Sequence, residues 1–329
     1  VSAMLLNGTD PTDIARAAHH LAEGELLALP TETVYGLGAR ADDDAAVAKI
    51  FAAKGRPSDH PLIVHVLDAA DAVDFAAALP PVAQRLMAAF WPGPLTLILP
   101  RAPGVGAAAA GGQDSIGLRC PAHPVARALL AEAKALGVHG VAAPSANRFG
   151  RVSPTRAAHV ESEFEGRVWV LDGGDCAVGI ESSIVDCSRA HPVLLRPGVL
   201  TPGQIEAVAG EPLRTPDAQA PRASGTLAAH YAPSAVVRLL DAPTLAQRLG
   251  QQQWPAGLAV YSRTLSPVLG PLWRSMPGDA AAAAQQLFAV LRELDDAGAG
   301  EIWIELPPRD VEWDGVRDRL SRAAAAFAS

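Results

Sequence analysis

The chain has 329 residues and a mass of 34.0 kDa, which at roughly 150 residues per domain fits two domains better than one. Hydrophobic residues make up 49% and charged residues 19%, excluding a disordered or collagen-like chain. The formal charge of −8 and pI near 5.6 exclude a broad nucleic-acid footprint, because neutralising phosphates takes clustered Lys and Arg.

From the start to about Leu213, short apolar runs alternate with helix-period segments, the pattern of an α/β fold. Residues 26–29 read as a strand. The clearest helix is residues 44–53, where Val47, Ile50, Phe51 and Lys54 follow i, i+3, i+4, i+7. Asp42 to Asp44 suit its positive end, and Gly55 and Pro57 stop it. Residues 62–66, 95–99, 116–118, 138–142, 168–171, 183–185 and 193–195 read as further strands, most bounded by Gly, Pro or polar residues. Ser153-Pro154 and Thr201-Pro202 look like N-caps followed by Pro at the first helical position. Residues 214–233, RTPDAQAPRASGTLAAHYAP, have almost no apolar periodicity and read as a linker. Beyond it, strands at 236–240, 258–261 and 302–306 and helices at 244–252, 279–297 and 315–327 make a second, smaller α/β domain. Its Trp254, Trp273, Trp303 and Trp313 read as core or interdomain packing.

Three cysteines, Cys120, Cys176 and Cys187, form neither a CxxC pair nor an even disulfide framework, as expected of a reducing compartment. The start lacks the basic and apolar regions of a signal peptide, and no stretch reaches 18 uninterrupted apolar residues. A cytoplasmic protein without membrane contact is the expectation.

Several catalytic signatures are missing: GxxxxGK[ST], HExxH, GxSxG and CxxC. Residues 36–41 fit GxGxxA, but Pro30 to Tyr35 intervene after the strand, whereas a dinucleotide fingerprint follows its strand directly. Strand ends carry similar chemistry instead. Thr31 to Gly36, His65, Arg119, Ser145 to Asn147 and Arg196 to Gly198 each follow or finish a strand, and Lys54-Gly55-Arg56 closes the first helix. Of 27 Lys and Arg residues only Lys49, Lys54 and Lys134 are lysines, so a lysine in a polar loop is informative. Ligands of open α/β sheets bind outside the carboxyl ends of strands. Cations and hydroxyls gathered there suit an anionic substrate with phosphate or carboxylate groups. Each residue also has a plainer reading: Lys54 as a helix C-terminal cation, Arg119 and Arg196 as surface arginines, Ser153 as an N-cap, His65 as a structural histidine and Tyr35 as packing. The functional reading requires that Lys54, Arg119 and Arg196 converge on folding.

The runs PTETVYGLGA at 30–39, KGRPSDHPLIVHV at 54–66, WPGPLTLIL at 91–99, GLRCP at 117–121, PSANRFG at 144–150, ESSIVD at 181–186 and RPG at 196–198 resemble the threonylcarbamoyl-AMP synthase (YrdC-like) family. HYAP at 230–233 and the trailing domain resemble its longer, two-domain form. The resemblance implies a YrdC-like twisted-sheet α/β catalytic domain at 1–213, a linker or lid at 214–234 and a Rossmann-like α/β domain at 235–329. It implies an ATP-dependent nucleotidyltransferase that joins L-threonine, bicarbonate and ATP into threonylcarbamoyl-AMP with release of pyrophosphate, for tRNA modification. Magnesium would arrive with ATP, and a downstream tRNA-modifying transferase would take the product, without a stable nucleic-acid complex.

Carried over by motif, Lys54 and Arg56 would be catalytic. Thr33, His65, Arg119, the Ala143 backbone and Ser182 or Ser183 would contact threonine. Lys54, Arg56, His60, Ser115, Ser145, Asn147, Ser153, Arg196 and Tyr231 would contact ATP, with the linker around Gly225 closing over a labile mixed anhydride. His60 stands where the family more often has Asn, Ser183 replaces Thr, and ASGTLAAHYAP departs from the usual linker. The competing reading is a non-catalytic RNA-binding or ribosome-associated module of the same fold. Carbamoyl transfer in metallocentre assembly is a third, but such proteins carry zinc-binding and acylphosphatase-like segments that this chain lacks.

Overall fold

In the computed structural model, which describes residues 4–328, the described residues fall into two units. Those through Phe149 join Ser153–Thr226, and Gly150–Val152 join those from Leu227 on. The linker segment is thus divided: residues 214–226 go with the first unit and 227–234 with the second.

The strands of the first unit are β1 (Leu5–Asn7), β2 (Leu27–Leu29), β3 (Gly36–Arg40), β4 (Ile63–His65), β5 (Leu95–Pro100), β6 (Ser115–Arg119), β7 (Val141–Ala142), β8 (Trp169–Asp172), β9 (Ser183–Asp186) and β10 (Val193–Arg196). Its helices are α1 (Pro11–Ala22), α2 (Asp44–Lys54), α3 (Pro81–Phe90), α4 (Pro124–Ala135), α5 (Ala157–Phe164) and α6 (Pro202–Ala209). The strands form one ten-stranded sheet in the order β1-β8-β2-β3-β7-β4-β6-β5-β9-β10.

Helix α2 forms as its pattern requires. Asp43 accepts from the N–H groups of Ala45 and Ala46, and Gly55 ends the helix in the left-handed region at φ 62°. Val47, Ile50, Phe51 and Lys54 are all buried, so the periodicity that packs the helix also turns the lysine inward. Thr201 caps α6, with Gln204 returning a bond to the Thr201 N–H. Ser153 does not cap a helix. Helix α5 begins at Ala157, with Arg156 at its N-cap, and the Ser153 hydroxyl is drawn away to the Glu181 carboxylate.

Strands β1 and β3 fall outside the pattern read from apolar runs. In β3 the glycines serve close packing of strands: a Cβ on Gly38 would lie 2.8 Å from Leu29 Cδ2 and 2.9 Å from Val141 Cγ1. Residues 36–40 are therefore the antiparallel partner of β2 and β7 rather than a phosphate loop.

The sheet is mixed, which corrects the expectation that the polar strand ends share one carboxyl edge. β4 and β6 run parallel and set His65 opposite Arg119, but β7 runs antiparallel to β4, so Ala143 emerges beside Ile63 at the amino end of β4. What several of these residues share is a face. Ile63 and His65, Ser115, Gly117 and Arg119, and Thr96 and Ile98 alternate with Val64, Ile116, Leu118, Leu95, Leu97 and Leu99 of the main core. Helices α1 and α4 cover that face over β1, β8 and β2. Farther along, Ile63, Ile98, Ile184, Val193 and Leu195 pack instead against Ala220 and Ala223, none of which is helical. A sheet face covered by a small-residue strap leaves polar side chains within reach of a ligand, which a packed helix would prevent.

The second unit is a parallel four-stranded sheet of β11 (Val236–Leu240), β12 (Leu258–Ser262), β13 (Leu272–Ser275) and β14 (Glu301–Glu305), in the order β11-β14-β12-β13. Its helices are α7 (Ala242–Gly250), α8 (Ala280–Asp296) and α9 (Asp314–Ala325). Trp303 belongs to its core with Trp254 and Trp273 packed alongside, and Trp313 is buried. Only β13 was not apparent in the apolar pattern of this unit, because most of it is exposed.

Candidate active site

Lys54 ends α2 with its side chain 3% exposed. Its Nζ donates to the Ser145 carbonyl at 2.6 Å and to the Asn147 carbonyl. Carbonyls orient an ammonium without neutralising it. Burial pushes the Lys54 pKa well below its ordinary value, the Arg56 charge adds to this, and Glu163 and Glu181 oppose it. Tyr35 supports the same turn: Ala146 N–H donates to its carbonyl at 2.8 Å, while its hydroxyl is fixed by Asp172 and Gly174. The plain packing role suffices for its ring.

Arg56 donates to the Pro61 carbonyl at 2.9 Å and the Ser224 hydroxyl at 3.3 Å, and lies 5.7 Å from the Phe149 ring. His60 tilts against the same ring at 5.4 Å, and burial and the Arg56 charge lower its pKa. Arg196 is 3% exposed. It donates to the Ser182 carbonyl at 3.1 Å, the Ser182 hydroxyl at 3.3 Å and the Ser224 carbonyl at 2.9 Å. Ser224 thereby links Arg56 to Arg196. Ser182 continues the chain to Thr96 at 2.8 Å, whereas Ser183 packs under Gly198, where an added Cβ would lie 2.5 Å from its nitrogen.

Arg119 anchors the other part of the site at 4% exposure. It donates to the Thr33 hydroxyl at 2.7 Å and to the Gly93 carbonyl at 3.2 Å, and its Nη2 lies 2.6 Å from the Glu32 carboxylate. Thr33 meets Thr31 at 2.9 Å, and the Thr31 hydroxyl closes the turn on the Val34 carbonyl. Burial alone would raise the Glu32 carboxyl, but the Arg119 charge and hydrogen bonds, including one from the Ala122 N–H, hold it below the usual range. His65 is pushed down to about 3, first by burial and then by Arg119, so its ring is neutral. Among the described residues, neither the buried His65 Nδ1 nor the Ser183 hydroxyl finds a hydrogen-bond partner.

The remaining candidates distribute as follows. Asn147 is fully buried, with its amide donating to the Arg148 carbonyl at 2.7 Å. Ser153 pairs with Glu181, which adjoins Ser182. Ser115 lies with Gly117 under residues 222–224 of the strap. Tyr231 belongs to the second unit, 1% exposed, stacked 5.5 Å from Phe288 and 5.5 Å from the Arg319 guanidinium. Among the described residues no group of three or more His, Cys, Asp or Glu could hold a metal ion. Glu32, Thr96, Glu181 and Ser224 were not singled out from sequence. Glu32 lies inside the PTETVYGLGA run, but only the folded turn shows that it, as well as Thr33, meets Arg119.

The strap, the arginines and the segments at 31–34, 93–96 and 181–183 make a cationic, hydroxyl-rich site of buried groups, suited to holding anions out of water. Comparison with known proteins agrees with this chemistry. The family model described as "Telomere recombination", covering the Sua5, YciO and YrdC proteins, matches residues 19–198, and that of the threonylcarbamoyl-AMP synthase C-terminal domain matches residues 200–325. The chain is 39% identical over 333 residues to the threonylcarbamoyl-AMP synthase of Bacillus subtilis, covering 97% of this chain and 94% of that one. It is 44% identical over 233 residues to that of Pyrococcus abyssi, covering 69% and 67%. The crystal structure of P. abyssi Sua5 complexed with L-threonine matches at a TM-score of 0.87 and 35% identity, over 98% of both chains. A charged, buried site on this sheet and a match running through both units place the chain in the Sua5/YrdC family of threonylcarbamoyl-AMP synthases.

Proposed function

We propose that the chain joins L-threonine, bicarbonate and ATP into threonylcarbamoyl-AMP, releasing pyrophosphate, as a step in tRNA modification. The observation that carries this reading is the buried Arg119, paired across the strands with His65 and bound to Thr33. A guanidinium beside a neutral imidazole with an unsatisfied nitrogen suits a small molecule bearing a carboxylate and a hydroxyl or amine. The structure of P. abyssi Sua5 in complex with L-threonine supports threonine as that molecule.

In the reaction, threonine nitrogen and bicarbonate give a carbamate with loss of water. A carbamate oxygen then attacks the α-phosphorus in line as pyrophosphate departs. Three anionic partners must be assembled, so their repulsion has to be offset. Lys54, Arg56 and Arg196 supply that field at the nucleotide, with His60, Ser115, Ser145, Asn147 and Ser153 around it. Thr33, His65, Arg119, Ala143 and Ser182 hold the amino acid. Lys54 enters with its charge disfavoured by burial, and a triphosphate beside it would restore the charge. Magnesium would come with ATP, held on phosphate oxygens and water. No helix among the described residues is long and apolar enough to cross a membrane, and we assign the enzyme to the cytoplasm. Lys54, Arg119 and Arg196, each 4% exposed or less, are withdrawn from any open RNA-binding surface.

The test is pyrophosphate release with threonine and bicarbonate omitted in turn. Release should require both. Lys54→Ala and Arg119→Ala should each lower it by about 10²-fold or more with the circular dichroism unchanged. Wild-type turnover in either variant removes that residue from the mechanism, and release without threonine removes the reaction.

A further inference from the structure

We infer that Glu32 is the positioning residue for Arg119, and that the pair, rather than the arginine alone, forms the seat for the substrate carboxylate. The inference rests on the proposed reading of Arg119 and deepens it. Arg119 is a long side chain on the last residue of β6, and three protein contacts define where its guanidinium points. Nε meets the Gly93 carbonyl, Nη1 the Thr33 hydroxyl, and Nη2 the Glu32 carboxylate at 2.6 Å. Gly93 and Thr33 hold one edge of the plane. Among the described residues, it is Glu32 that fixes the far nitrogen.

Glu32 is itself fixed from two further segments. Its Oε2 accepts from the Ala122 N–H at 3.1 Å, just past the end of β6, and its carbonyl accepts from the Val178 N–H at 2.7 Å. The turn at 31–34, the exit of β6 and the loop before β9 are thus joined through one residue. The contact between Nη2 and Oε1, at 2.6 Å, is the closest that the guanidinium makes among the described residues. This close pairing of charges holds the plane of the guanidinium in place.

A role as proton acceptor for the substrate ammonium fits less well. Burial would raise the Glu32 carboxyl, but Arg119 and the hydrogen bonds overcome this and keep it ionised. A carboxylate whose proton affinity is lowered is a poor general base near neutral pH. The same charge is well suited to a permanent counter-ion for a buried guanidinium, which without it would be left uncompensated.

Two physical effects of removing the carboxylate differ in sign, and the sign decides the question. If Glu32 acts only through its charge, Glu32→Gln makes the pocket more positive and threonine binds more tightly. If it positions Arg119, the guanidinium drifts from its productive orientation and threonine binds more weakly, by about 10-fold or more, the worth of one charge-assisted hydrogen bond.

The experiment is isothermal titration of the full chain with L-threonine and, separately, with ATP, for wild type, Glu32→Gln and Glu32→Asp. The expected result is weaker threonine binding by about 10-fold or more in Glu32→Gln, partial recovery in Glu32→Asp, and ATP affinity within about twofold of wild type in both. In turnover, the loss should appear in KM for threonine rather than in kcat. Unchanged or tighter threonine binding by Glu32→Gln overturns the assignment, as does a parallel loss of ATP affinity, which marks a general structural role. If wild type binds threonine and Glu32→Gln binds it equally, only the Glu32 assignment fails. If wild type binds no threonine, the proposed function fails and the assignment with it.

Discussion

His65 should make the protein acid-labile in a window whose upper part lies above most carboxylate titrations. The ring is buried and its pKa is pushed down to about 3 by burial and by Arg119, against about 6.5 in an unfolded chain. Above the unfolded value both states are neutral and His65 contributes no pH dependence. As pH falls below it, the unfolded state takes up a proton that the folded state refuses until about 3, so stability is lost between these two values. The limiting slope is about 1.4 kcal/mol per pH unit, and the loss between about pH 7.5 and 5.0 is about 2 kcal/mol. His20, His60 and His123 are also lowered and act in the same direction. The informative quantity is therefore a difference. Urea unfolding of wild type and His65→Gln at both pH values should show the wild-type excess loss of about 2 kcal/mol, and the His65 imidazole resonances should keep their neutral positions at pH 5. Equal losses in the two proteins, or a His65 resonance that titrates near the unfolded value, would refute the reasoning.

Gly198→Ala tests the packing that holds Ser183 and, through Ser182, Arg196. The new Cβ would lie 2.5 Å from the Ser183 backbone nitrogen, so a backbone must shift, at about 1–3 kcal/mol; a variant with wild-type melting temperature and ATP affinity would contradict this. In the second unit, the buried Glu305 carboxylate accepts from the N–H groups of Arg263 and Thr264 and from the hydroxyls of Ser262 and Thr264. Glu305→Ala strands these donors and should destabilise that unit by about 3 kcal/mol or more. Glu305→Gln, which keeps one acceptor oxygen, should lose less. Unchanged amide exchange at Arg263 and Thr264 would count against this account.

Much of the fold was legible because local patterns carried it. The stripe from Val47 to Lys54 specified α2 and its buried face, and the cap at Thr201 formed as its residue types require. Most of the apolar runs became strands. β3 escaped because Gly36 and Gly38 are chosen for close approach to neighbouring strands, not for strand propensity, and β13 because it lies mostly exposed on an edge. Ser153-Pro154 has the composition of a cap, yet Glu181, distant in sequence, claims the hydroxyl. Charge and hydroxyl content in particular loops made the candidate residues visible. Their grouping was not: the expected common carboxyl edge gave way to a face shared across strands of both directions.

The sequence by itself determined most of the segments that become helix or strand and which side chains could hold anions, since both follow from residue type and spacing of a few positions. Tertiary structure alone decided strand direction, the strap of small residues over the sheet, and the meeting of Arg119 with Thr33, 86 positions away, and with Glu32. Those contacts depend on register and on competition among distant partners for the same buried polar groups, and local periodicity holds no record of either.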